Sequence, residues 1–187
     1  MPRNSTKVKV LTFRDTNILK QLSKTGLSNA QQAKEYCKLG IERLGKLEKS
    51  GYIKTTSHIV RGKNTLIIQL DKGGKEWCRQ ELGTKSFCVA QTNHLDHDLK
   101  LTEAYYNLPE GVQETWRHEG ELIQDIYEKN PSLKENGGLQ TCVDATVQIN
   151  DVTIAIESIG LSYTSLIIGL KEEIATQLLG CSRMECV

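Results

Sequence analysis

Two β-hairpin signals stand in a chain whose remaining pattern is largely helical, and they constrain its fold more than any other feature. In the first, residues 52–60 carry the β-branched content of a strand, Arg61-Gly62-Lys63-Asn64 reads as a tight basic turn, and residues 65–70 return. In the second, residues 142–149 and 152–157 flank the two-residue turn Asn150-Asp151. Helical segments precede and follow both hairpins, so the chain is expected to be α+β.

Three helices are predicted ahead of the first hairpin. Asp15 or Thr16 caps one whose inward face is Ile18, Leu19 and Leu22, ending near Thr25-Gly26. Ser28 or Asn29 caps the next, through Ala30, Ala33 and Tyr36. After the turn Cys37-Lys38-Leu39-Gly40, a third helix turns Ile41, Leu44 and Leu47 inward and Glu42, Arg43, Lys46 and Lys49 outward, until Ser50-Gly51 ends it. Gly45 inside that helix costs ~1 kcal/mol relative to alanine; it either permits another molecule a close approach to the backbone or has no role.

Charge separates the two halves of the chain. The 187 residues sum to +1, yet residues 1–90 hold 18 Lys+Arg against 7 Asp+Glu, and residues 91–187 hold 6 against 16. Such asymmetry points to a nucleic-acid-facing module joined to an acidic one. Domains are accordingly expected at 1–90 and 91–187.

Three short helices followed by a basic hairpin, with "LEKSGYIK" at the junction, resemble the winged helix-turn-helix family over roughly residues 10–82. A helix fits the major groove of double-stranded DNA, where base edges carry distinguishable patterns. Arg43 is the candidate for a two-point contact with guanine, Lys38, Lys46 and Lys49 for phosphates, and Arg61 and Lys63 for the backbone or minor groove at the hairpin tip. A homodimer is expected, because one recognition helix reads few base pairs.

Beyond the hairpin, residues 71–81 read as a helix, 83–92 as a short linker, 94–105 as a helix ending before Pro109, and 130–138 as a Pro/Asn/Gly-rich loop. A helix over 165–179 and a strand over 183–187 follow the second hairpin, and this order is the skeleton of an α/β sandwich. "NHLDHDLKLTEAY", "WRHEGEL" and "VDATVQINDVTIAIE" resemble the replication-relaxation family of plasmid and mobile-element proteins. That resemblance implies a winged helix-turn-helix followed by a small restriction-endonuclease-like domain of the PD-(D/E)xK type.

In that type, carboxylates hold a hard divalent metal such as Mg2+ and a lysine aids charge stabilisation. By position Asp144 and Glu157 match the two acids, and Glu119 or Glu121 is a further carboxylate. The pattern departs at Ile159, where the lysine belongs, and at Val143, where the proline belongs. Lys171 on the following helix is the candidate to supply the charge from elsewhere, though nothing in the sequence requires it. A nuclease-like fold without cleavage, and so without a cofactor, is the expectation. A metal-dependent endonuclease and a protein-binding adaptor are its rivals, and the acidic half is expected to serve oligomerisation or partner docking.

His94 and His97 share a helix face and form a candidate zinc pair, but no third ligand stands at a recognisable spacing, and His94 is expected in the core. The six cysteines form no C-x2-C pair and are expected to be packing thiols. No stretch approaches the ~20 apolar residues of a membrane span, and residues 1–9 lack the apolar core of a secretory signal. A cytoplasmic protein is expected.

Overall fold

The computed structural model describes residues 7–91, 93–135, 137–160 and 163–187. Most of the basic N-terminal stretch, Thr92 of the linker and Asn136 of the Pro/Asn/Gly-rich loop lie outside the described residues. The chain is α+β and divides into two compact units, Met1–Thr102 and Glu103–Val187, each containing one β-sheet. Among the described residues no helix is long and apolar enough to cross a membrane.

The first unit begins with α1 (Phe13–Thr25), the two-residue strand β1 (Ser28–Asn29), α2 (Ala30–Cys37) and α3 (Ile41–Lys49). Thr12, rather than Asp15 or Thr16, caps α1, because Thr12-x-x-Asp15 forms a capping box. The Thr12 N–H and hydroxyl donate to Asp15 Oδ2 at 2.7 and 2.8 Å. Asn29 caps α2 as expected, accepting from the Gln32 N–H at 2.8 Å while its own N–H donates to Gln32 Oε1. In α3, Leu44 and Leu47 are buried, but Ile41 is 62% exposed. It opens the helix, about 60° round from Leu44 and about 120° from Leu47, and so misses the core.

Strands β2 (Ile53–Val60) and β3 (Lys63–Leu70) pair antiparallel from Ile53–Leu70 to Val60–Lys63, with β1 on the far edge of β3. Pairing to Lys63 shortens the expected four-residue turn to Arg61-Gly62, both left-handed (φ 48° and 74°), the geometry of a type I′ hairpin. Helix α4 (Lys72–Leu82) presses against the start of the hairpin. A Cβ at Gly74 would lie 2.1 Å from the Tyr52 carbonyl oxygen, so glycine is what permits the approach.

Residues 83–91 are not a free spacer. The Cys88 N–H donates to the Ser23 carbonyl at 3.1 Å, and Phe87 lies beneath the Lys75 and Arg79 cations. Leu95 and Leu99, on α5 (Leu95–Asn107), join Leu27 and Ile67 in one cluster, with Val60 and Ala90 against it. The first unit therefore includes the start of α5.

In the second unit, α6 (Glu110–Glu114), β4 (Arg117–His118), α7 (Glu119–Lys129) and α8 (Pro131–Glu135) lead to β5 (Ala145–Ile149) and β6 (Val152–Glu157). Asn150 and Asp151 make the expected two-residue turn, both left-handed. Helix α9 (Ser165–Glu173) and a π-helical turn (Ile174–Leu178) then carry the chain back to β7 (Arg183–Cys186), parallel to β6. A parallel neighbour requires such a crossover. The sheet order is β4-β5-β6-β7, and Leu122, Ile126, Cys142, Val143, Ala155, Ala175 and Cys181 form its core. Cys37, Cys78, Cys142 and Cys181 are buried as expected, whereas Cys88 is half-buried and Cys186 exposed.

Candidate functional site

On α3 the side chains sort by their angle around the helix axis. Leu44 and Leu47 define the buried side; at about 100° per residue Glu42 and Lys49 stand opposite them, Gly45 and Lys46 lie to either side of that line, and Ile41 stands at the edge of the outer face. Glu48 ties the helix to the hairpin, since its Oε1 accepts from the Thr55 N–H at 2.8 Å and the Thr55 hydroxyl at 2.6 Å. This fixes the angle between α3 and β2. Lys38 adopts a left-handed conformation after α2 and donates to the Glu35 carbonyl at 2.5 Å. Lys63 is exposed at the start of β3.

Two arginines named as DNA contacts have partners within the first unit. Arg61, at the hairpin turn, meets Asp96 of α5, with Nε 2.6 Å from Oδ1, and both side chains stay at least half exposed. Arg43 is committed more deeply. It does not project from the outer face of α3, because it lies four residues before Leu47 and shares that side of the helix. Its Nε donates to Asp15 Oδ1 at 2.9 Å, its Nη2 donates to Asp15 Oδ2, and Nη2 also reaches the Val10 carbonyl at 3.3 Å. Asp15 is fully buried. Burial works to raise its pKa, but hydrogen bonds from Arg43 and Thr12 and the Arg43 charge outweigh this and hold it below the ordinary carboxylate value. The fork expected to read guanine is thus closed on a carboxylate inside the fold.

The second unit gathers three of the sequence-predicted residues. Asp144 lies one residue before β5 and Glu157 ends β6, opposite each other beyond the Ala145–Ile156 pair. The Asp144 N–H donates to Glu157 Oε2 at 3.2 Å, and the Ser158 N–H donates to Asp144 Oδ2 at 2.7 Å. Lys171, from α9, donates to Glu157 Oε1 at 2.6 Å, and the Tyr163 hydroxyl donates to the same oxygen at 2.6 Å. Glu157 is fully buried and Lys171 nearly so. Burial opposes the lysine charge, yet Glu157, with Asp144 and Tyr163, raises the Lys171 pKa above its ordinary value. Burial and the neighbouring Glu157 push Tyr163 up to about 12.

No protein-family model, curated protein or solved structure matches this chain.

The chemistry of the side chains is therefore what speaks for each site. A hard divalent cation such as Mg2+ is held through one or two carboxylates with water completing its shell, and the Glu157 oxygens already accept from Lys171, Tyr163 and the Asp144 N–H. Glu157 is thus a charge-compensated carboxylate within a hydrogen-bonded cluster. Glu119 begins α7 on the surface, and its N–H donates to the Asp144 carbonyl at 2.8 Å. Glu121 completes the capping box of α7 behind the N-cap His118, accepting from the His118 N–H at 3.2 Å. His94 is exposed rather than in the core, since it precedes the first residue of α5. His97 Nδ1 is 3.0 Å from Asp98 Oδ1. Sequence reasoning missed Asp15 and Tyr163 as partners; the Thr-x-x-Asp box was a readable signal for the first, while nothing local marked the second.

Proposed function

We propose that this chain is a double-stranded DNA-binding protein whose first unit is a winged helix-turn-helix, with α3 in the major groove and the β2–β3 hairpin as the wing. The observation that carries the reading is the outer face of α3. It carries an exposed Lys49 and a half-buried Lys46, within a segment of 18 Lys+Arg against 7 Asp+Glu. Lys38 and Lys63 extend the same potential along the chain, and phosphates are the anions such a surface meets. In this reading Arg43 braces the helix, Arg61 reaches the backbone only by leaving Asp96, and two copies read two half-sites. The second unit is a nuclease-like domain serving assembly, and the whole acts in replication or transcription control of a plasmid, phage or other mobile element.

Counterion release makes the test. Affinity for a duplex should fall steeply as salt rises, with a log–log slope of about −0.9 per phosphate contacted. A flat response, or no duplex binding at low salt, removes the proposal and favours a protein-binding adaptor.

One observation favours a second reading, a metal-dependent endonuclease. Lys171 stands on Glu157, supplying from α9 the charge that Ile159 cannot. Asp144 and Glu157 would hold the cation, which would polarise a phosphate and lower the pKa of bound water. The donors already on Glu157 weigh against it. Nicking of supercoiled DNA in Mg2+ or Mn2+, lost in Asp144→Ala, would establish this reading over a binding role alone.

A further inference from the structure

The outer face of α3 carries a pattern that phosphate binding does not explain. Its first residue is an isoleucine, 62% exposed. Its middle residue is a glycine, and among the described residues nothing beyond its chain neighbours and its own helix backbone comes within 4 Å of where a Cβ would sit. Gly74 is accounted for by the Tyr52 carbonyl it approaches, whereas nothing in the protein requires glycine at 45. An exposed branched apolar side chain and a bare patch of helix backbone, four residues apart, share one side of the helix. Lys49 continues that side and Lys46 flanks it.

We infer that α3 reads base pairs chiefly through Ile41, packed on a thymine 5-methyl group in the major groove, with Gly45 letting the helix backbone sit close against the base edges. The inference rests on the DNA-binding reading above and moves sequence reading from Arg43 to this stripe. Among the base-edge groups of the major groove the thymine methyl is the apolar one, so it is the group an exposed isoleucine can desolvate with gain. Recognition helices contact base edges from their N-terminal residues, and Ile41 is the first residue of α3. Glu42 beside it would be repelled by phosphates, but its carboxylate can accept from a cytosine amino group. The lysines at the other end of the stripe are suited to the flanking backbone. Apolar contact, one acceptor and a close-fitting backbone thus account for the outer face without Arg43.

The experiment uses the full chain. Duplexes selected from a randomised library at low salt are resynthesised with single dT→dU replacements, which remove the methyl and nothing else. Wild type should lose about fourfold in affinity at one replaced position per half-site, the worth of one buried methyl. Ile41→Ala should bind the two duplexes equally, with an unchanged thermal midpoint because the side chain lies outside the core. Gly45→Ala should raise the thermal midpoint yet weaken the selected duplex. A selected site without thymine, or dU replacements that leave wild type unaffected or weaken Ile41→Ala as much, overturns the inference while leaving DNA binding standing. Absence of duplex binding by wild type overturns both, and the two failures are thereby distinct.

Discussion

Replacing Arg43 separates a structural arginine from a DNA-reading one. Asp15 is fully buried, and in Arg43→Ala it loses two of four donors, keeping the Thr12 N–H and hydroxyl. Breaking a buried pair from one side costs about 3–5 kcal/mol. The retained Thr12 donors, and the 30% exposure of the Arg43 side chain, place the loss near the bottom of that range, about 3 kcal/mol. With a urea m-value of about 1–3 kcal/mol/M, the unfolding midpoint should fall by roughly 1 M or more.

Asp15→Asn keeps the shape of the cap and leaves a partly solvated cation, so its cost should be smaller. The double variant should recover part of the loss, giving a coupling of about 1–3 kcal/mol. The pH dependence fixes the sign. The Asp15 pKa is depressed in the fold, so its stabilisation is present above the ordinary carboxylate value and is lost as pH falls through the depressed one. Wild type and Arg43→Ala should therefore differ most near neutrality and converge in acid. A variant whose urea midpoint is unchanged, while its duplex affinity falls tenfold or more, would refute the bracing role and return Arg43 to the bases.

Lys171→Met should destabilise the second unit near neutrality, because Glu157 keeps its burial and loses its cation. Glu157 has a raised pKa in the fold, and such a group favours folding below its ordinary value and loses that effect as pH rises through the raised one. Urea midpoints of the variant should thus recover towards wild type on acidification; a constant gap from pH 7 to pH 4 would show that the lysine acts by packing alone. Gly74→Ala should cost about 1–3 kcal/mol, the usual penalty of overpacking, since the added carbon would meet the Tyr52 carbonyl at 2.1 Å. An unchanged thermal midpoint would mean that α4 moves away freely.

The elements that local chemistry specifies were legible. Both hairpins follow from turns whose two residues accept left-handed backbone, and α2 follows from the Asn29–Gln32 box. The two-residue strands β1 and β4 left no trace, because each owes its form to a partner far along the chain, Ile67–Ile68 for one and Ala145–Thr146 for the other. The candidate sites divide in the same way. Lys46 and Lys49 lie where helical spacing puts them. Arg43 does not, although its four-residue distance from Leu47 was visible, because its partner Asp15 lies 28 residues away on another helix. Lys171 reaches Glu157 only through the crossover that β7 demands.

Among the described residues each unit thus holds one buried carboxylate answered by a cation from a different element, and a sum of charges along the sequence counts both cations as if they faced solvent. Removing Arg43 from that sum, and setting Arg61 aside as paired with Asp96, takes two of the expected contacts out of the freely available set. Lys46, Lys49 and Lys63 remain, with Lys38 tethered to the Glu35 carbonyl. The salt slope is the quantity that should register this distinction. Arg43→Ala should leave it unchanged, while Lys46→Ala and Lys49→Ala should each lower it by about one.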